Sequence, residues 1–98
     1  MTLSERERNM ISSVLERFSE IEKVVLFGSR ALGCARPESD VDLAVWGDIS
    51  DARIGMLTGE LEELPTPLRF DVQAYAHIRH AGLRRHIDEL GTAIFQRA

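Results

Sequence analysis

Residues 24–47 read VVLFGSRALGCARPESDVDLAVWG: an apolar run, a Gly-Ser turn, a loop, and Asp-x-Asp inside a second apolar run. Val24-Val25-Leu26-Phe27 is β-prone and continuous, which suits a strand covered on both faces or lying at a sheet centre. Gly28 ends it, and Arg30-Ala31-Leu32 has fair helix propensity up to Gly33. A strand that enters a helix through Gly-Ser leaves backbone N–H groups at the turn, and these donors with the helix dipole favour an anion such as a triphosphate. Gly28 admits a phosphate closely because it carries no side chain. The Ser29 hydroxyl offers one more donor. Arg30 follows closely enough to reach a phosphate as a charge-assisted donor, with an ordinary surface arginine as the equal alternative.

Pro37 disfavours helix at Arg36 and marks a turn in the loop. In the run Asp40-Val41-Asp42-Leu43-Ala44-Val45-Trp46, residues two apart share a face if the segment is a strand. Asp40 and Asp42 then project together, and Val41, Leu43 and Val45 project oppositely. Adjacent carboxylates repel unless a cation lies between them; a hard divalent ion takes oxygen ligands, and magnesium commonly arrives with substrate phosphates. A second alternating run, Arg69-Phe70-Asp71-Val72-Gln73-Ala74-Tyr75, supplies a third carboxylate. If Phe70, Val72 and Ala74 pack on helices, Asp71 falls on the same polar face as Asp40 and Asp42. Such a set suits two magnesium ions holding the attacking and leaving oxygens of an in-line displacement.

Gly28-Ser29, ten intervening residues and Asp40-Val41-Asp42 resemble the signature of the DNA polymerase beta-like nucleotidyltransferases. The string GSRALG…RPESDVDLAV is most similar to the minimal nucleotidyltransferases (MNT) found beside HEPN proteins in prokaryotic toxin–antitoxin pairs, and the likeness runs from about Val24 to Tyr75. The resemblance implies that Gly28 and Ser29 bind a nucleoside triphosphate. It implies that Asp40, Asp42 and Asp71 bind magnesium, with Asp71 the base for the attacking hydroxyl. All five positions match, and Cys34 falls in the variable loop. The spaced combination arises by chance in roughly one chain in a thousand of this length. The bland alternative is an Asp-rich turn in which Ser39 or Asp40 caps a helix.

With 98 residues the chain is expected to form a single domain, residues 1–98. Apolar residues at 44% and charged residues at 29% are ordinary for a soluble globular protein. No run approaches a membrane span. The start, MTLSERERNM, lacks the apolar centre of a signal peptide, and a lone cysteine cannot form an internal disulfide. A reducing, cytoplasmic location is the expectation. A net charge of −4 argues against broad binding of long nucleic acids, which needs a basic surface.

The remaining elements follow from local signals. Ser4-x-x-Glu7 is a capping box ahead of Met10, Ile11, Val14, Leu15 and Phe18 at helical spacing. Asp48-Ile49-Ser50-Asp51 has turn and N-cap chemistry and opens a second helix, Asp51 to Leu64. Gly55 and Gly59 weaken that helix by roughly 1 kcal/mol each relative to alanine; a weak helix is preferred to a close-packing role. Pro65-Thr66-Pro67 stops it and leads to the Asp71 strand. A last helix spans about Ile78 to Leu90, Gly91 caps it, and Thr92 to Phe95 form a short closing strand. The expected fold is α/β (α+β): a nucleotidyltransferase fold with a small mixed sheet, helices packed on one face and the active site on the other.

His77, Arg79, His80, Arg84, Arg85 and His86 form a basic cluster, read as the solvated face of a helix in preference to a rim that steers phosphates. The three histidines lack compact zinc-ligand spacing. Trp46 shares the carboxylate face and is read as packing at a sheet end in preference to base stacking.

The function expected is magnesium-dependent transfer of AMP from ATP to a hydroxyl. By resemblance the acceptor is a tyrosine of a HEPN-type toxin, in a hetero-oligomer where this chain is the antitoxin. The catalytic and metal set is Asp40, Asp42 and Asp71, and the nucleotide-binding set is Gly28, Ser29 and Arg30. One alternative is a non-catalytic partner subunit that neutralises a HEPN protein by contact. The other is transfer to a small molecule of aminoglycoside type, disfavoured because little chain remains to hold such an acceptor.

Overall fold

The computed structural model describes all residues except Met1, Thr2, Cys34, Ala35, Pro37, Glu38 and Ala98. The expectations for Cys34 in the variable loop and for Pro37 as the turn marker therefore lie outside the described residues. The order of elements is α1 (Glu5–Glu16), β1 (Ile21–Phe27), α2 (Ser29–Leu32), β2 (Val41–Gly47), α3 (Asp51–Glu62), β3 (Phe70–Ala74), a 3-10 turn (Tyr75–His77), α4 (Ala81–Leu90) and β4 (Thr92–Gln96).

Both expected N-caps form. The Ser4 hydroxyl accepts the Glu7 N–H at 3.1 Å while the Ser4 N–H donates to the Glu7 carboxylate at 2.9 Å, so two donors at the start of α1 are satisfied reciprocally. The Ser50 hydroxyl accepts from Arg53 N at the start of α3. The last helix starts later than its apolar stripe suggests. His80 takes the N-cap position, and its Nδ1 accepts the Leu83 N–H at 3.0 Å. Tyr75–His77 are wound into the 3-10 turn, and Ile78 still buries its side chain in the approach.

The sheet has four strands in the order β3-β2-β1-β4. β1 runs antiparallel to both neighbours, whereas β2 and β3 are parallel and joined through α3. One face carries the main core. Ile11, Val14, Leu15 and Phe18, with Leu57 and Leu61 of α3, pack on Val24, Leu26, Val41, Leu43 and Val45. Each such side chain contributes about 1.5–3 kcal/mol of transfer free energy when removed from water.

The opposite face is divided. Val25, Phe27 and Ala44 pack with Ile78 and Ile87, so α4 covers the part of this face nearest β1. The carboxylates lie beyond it on β2 and β3. This explains the unbroken apolar run at 24–27: β1 is an interior strand with helices on both sides, and every position in that run must be apolar. Among the described residues no helix is long and apolar enough to cross a membrane.

Candidate active site

Gly28 links β1 to α2 with φ 76° and ψ −155°, a region adopted readily only by glycine. A Cβ built there would stand 2.3 Å from Oδ2 of Asp42, so the end of β1 and the carboxylate of β2 are packed against one another. α2 is a single turn, ended by Gly33 in the left-handed conformation. Its dipole is correspondingly slight, and any attraction for an anion rests on local donors rather than on a long helix axis. The Gly28 N–H already donates to His86 Nε2 at 3.1 Å.

Asp42 pairs in register with Asp71 across the parallel β2–β3 ladder. Residues paired in this way share a face, with backbones about 4.8 Å apart. Asp42 is half-buried and Asp71 exposed. Burial raises the pKa of Asp42 above its ordinary value; the charges of Asp71 and then Asp40 add to the rise, and the Arg30 guanidinium opposes it. Asp40 lies just outside the alternating ladder, and its charge still acts on Asp42. It is exposed and precedes β2, which begins at Val41, so the pleat does not fix its direction. The Val41 N–H is held by Arg69 O at 2.8 Å, which anchors the strand immediately after it.

Arg30 is not a surface residue. Only 6% of it is accessible, and its Nε and one terminal nitrogen both donate to the Ser39 carbonyl, at 3.1 and 2.8 Å. A turn closes the same segment: Arg36 N donates to the Ser39 hydroxyl, and Ser39 N to Arg36 O. The guanidinium thus ties the start of α2 to the residue before Asp40. Among the described residues no group of three or more His, Cys, Asp or Glu forms an arrangement that could hold a metal ion. The donor chemistry does fit a hard cation: the nearby ligands are carboxylate oxygens, and the charges of Asp71 and Asp40 add to the rise that burial gives Asp42.

Trp46 lies four residues beyond Asp42, about 13 Å along the strand. Its ring stacks on Tyr75 at 4.2 Å, with Lys23 over its other side at 4.3 Å. Arg84 covers Tyr75 at 4.5 Å, and the Tyr75 hydroxyl donates to both Asp88 oxygens, at 2.8 and 3.0 Å. Trp46 is therefore engaged in packing at the sheet end. The basic cluster also separates into individual contacts. His77 lies 3.1 Å from Asp51, His80 caps α4, and Arg84 donates to Ile78 O. Arg79 and Arg85 are exposed.

His86 is the one member that reaches the Gly-Ser turn, and sequence reasoning placed it on a solvated face. A signal was present. Leu83, His86, Ile87 and Leu90 recur at helical spacing, which puts His86 beside the apolar stripe and not opposite it.

The family model for polymerase beta, nucleotidyltransferase, matches residues 9–98. The chain belongs to that family, and its fold is a nucleotidyltransferase fold. It is similar to a toxin–antitoxin structure determined with AMP-PNP, with a TM-score of 0.77 and 19% identity over 92% of this chain and 73% of that one. It is also similar to a tri-AMPylated Shewanella oneidensis HEPN toxin in complex with MNT antitoxin, with a TM-score of 0.73 and 16% identity over 97% of this chain and 74% of that one. A putative nucleotidyltransferase from Sulfolobus solfataricus matches with a TM-score of 0.57 and 17% identity, over 92% of this chain and 77% of that one. At such identities these likenesses establish the fold. No curated protein matches the chain in sequence.

Proposed function

We propose that this domain transfers AMP from ATP to a hydroxyl, and that the acceptor is a tyrosine of a HEPN-type toxin for which the chain is the antitoxin. The observation that carries this reading is the in-register pair Asp42 and Asp71 beside the Gly28-Ser29 turn. A family of nucleotidyltransferases and a set of toxin–antitoxin neighbours support it.

In the reaction, the hydroxyl oxygen attacks the α-phosphorus and forms a new P–O bond. The bond to the bridging α–β oxygen breaks, and pyrophosphate leaves with that oxygen's electron pair. Asp71 takes the hydroxyl proton; unlike half-buried Asp42 it is exposed and can meet an acceptor arriving from a second protein. Asp42, held against Gly28, fixes the distance between the acidic strand and the turn. Ser29 and the N–H groups after it receive the triphosphate. Arg30 holds the loop that presents Asp40. Asp40, Asp42 and Asp71 would hold magnesium, which when bound supplies charge neutralisation for the phosphates. Positioning and charge neutralisation suffice for such a transfer, so few other side chains are required. An ATP substrate and a lone cysteine suit a cytoplasmic setting.

The test is incubation of the chain with ATP labelled at the α-phosphate, magnesium and its HEPN partner. Label on the partner that is lost when the acceptor tyrosine becomes phenylalanine is the expected result. Relief of toxicity with no label on the partner would replace this reading by neutralisation through contact alone.

A further inference from the structure

α4 brings to the carboxylate end of the sheet one side chain that the transfer itself does not use. His86 Nε2 accepts the Gly28 N–H at 3.1 Å, and its ring meets Phe27 edge-on, with centroids 6.3 Å apart at 76°. An accepting Nε2 belongs to a neutral imidazole with its proton on Nδ1. Gly28 has no side chain with which to anchor itself, and it holds a backbone conformation that few residues adopt. It is instead gripped from three directions. Asp42 packs against its Cα, the Leu32 N–H donates to its carbonyl at 3.2 Å, and His86 takes its N–H.

The position of His86 is itself secured. The His80 cap, the Arg84 hydrogen bond to Ile78 O, and the Tyr75–Asp88 hydrogen bond tie α4 to the segment that precedes it. α4 therefore reaches the Gly-Ser turn through the bond from Gly28 N–H to His86 Nε2.

We infer that His86 is a positioning residue for the Gly28-Ser29 turn. Its imidazole engages the Gly28 N–H and holds the turn against Asp42, so that contacts to the nucleotide phosphates fall to Ser29 and the donors after it. The part of this inference that concerns phosphate rests on the nucleotidyl-transfer reading above; the part that concerns the turn does not.

The test uses the full chain labelled with nitrogen-15, and two variants. In the unaltered protein a scalar coupling across the hydrogen bond links the Gly28 nitrogen to His86 Nε2. His86→Phe keeps an aromatic ring against Phe27 and removes the acceptor. It is expected to lose the coupling, to exchange the Gly28 amide about tenfold faster, and to raise KM for ATP about tenfold with kcat little changed, as the loss of one hydrogen bond would give. His86→Gln places a carbonyl acceptor at similar reach and is expected to restore both exchange and KM to within about threefold. Absence of the coupling in the unaltered chain, or a His86→Phe variant with unaltered amide exchange and KM, overturns the inference. If the unaltered chain neither binds nor transfers nucleotide, the transfer reading fails by itself, and the coupling and exchange still decide whether His86 holds the turn.

Discussion

The Gly28 Cα and the Asp42 carboxylate are packed so closely that a methyl group on Gly28 would meet Oδ2 at 2.3 Å. Two penalties meet at this position, because φ of 76° is also strained for any residue with a side chain. Gly28→Ala is expected to destabilise the chain by about 1–3 kcal/mol in urea unfolding. It should also reduce transfer by about a hundredfold, since a displacement of about 1 Å at a reacting centre has that effect. A variant that unfolds at the original urea concentration and labels at the original rate would show that the turn is not built on this contact.

Asp42 links stability to pH. Its folded-state pKa lies above the ordinary carboxylate value of 3.8, first through burial and then through Asp71 and Asp40. Between the unfolded and folded values the native chain binds more protons than the unfolded chain. Metal-free stability therefore falls as pH rises through that window and stays lower above it. Asp42→Asn should abolish transfer, make the metal-free fold more stable at neutral pH, and remove this part of the pH dependence. Urea midpoints on both sides of the window, without divalent cation, measure it. Lower stability of the variant at neutral pH would mean that the charge is compensated in the native chain.

Arg30 is buried, and its two donors on the Ser39 carbonyl require a planar fork. Arg30→Lys keeps the charge and loses the fork, so it is expected to behave as a damaged clamp and not as a conservative change. Loss of stability of about 1.5–3 kcal/mol, the range for a hydrogen bond from a charged group, should accompany reduced transfer. Thermal unfolding beside a labelling assay checks both, and an unchanged melting temperature would return Arg30 to a role in phosphate contact alone.

Gly55 and Gly59 face open space: nothing lies within 4 Å of a Cβ built on either. Both sit inside α3, where glycine costs helix stability. Gly55→Ala and Gly59→Ala should each stabilise the isolated chain by about 0.5–1 kcal/mol, partly by narrowing the unfolded ensemble. Urea unfolding of each variant measures this, and destabilisation of either would contradict the open surroundings of these residues.

Much of the fold was legible because its signals are local. The capping box at Ser4 and Glu7, the N-cap at Ser50 and the stop at Pro65-Thr66-Pro67 act within a few residues of themselves. The alternation of Phe70-Asp71-Val72 sorts its own side chains by face. The boundary of α4 was less legible. His80 as a cap competes with a helix that the apolar stripe would start at Ile78, and the choice depends on how Tyr75 and Ile78 pack on the sheet. Asp40 illustrates the limit of alternation, since period-two spacing predicts a shared face only for residues inside the ladder. Trp46 lies on the carboxylate face as its spacing indicates, but its neighbours Lys23 and Tyr75 are brought there by strand pairing.

The amino-acid order by itself determined most of the elements, the main apolar face and the family, because periodicity and the Gly-Ser…Asp-x-Asp spacing are carried by neighbours along the chain. Only the tertiary structure decided that Asp42 meets Asp71 in register, that Arg30 donates to the Ser39 carbonyl, and that His86 grips Gly28. Each of those contacts joins separate segments through the sheet order and the docking of α4. Such pairings are set by the burial of the whole core, which no local window of sequence contains.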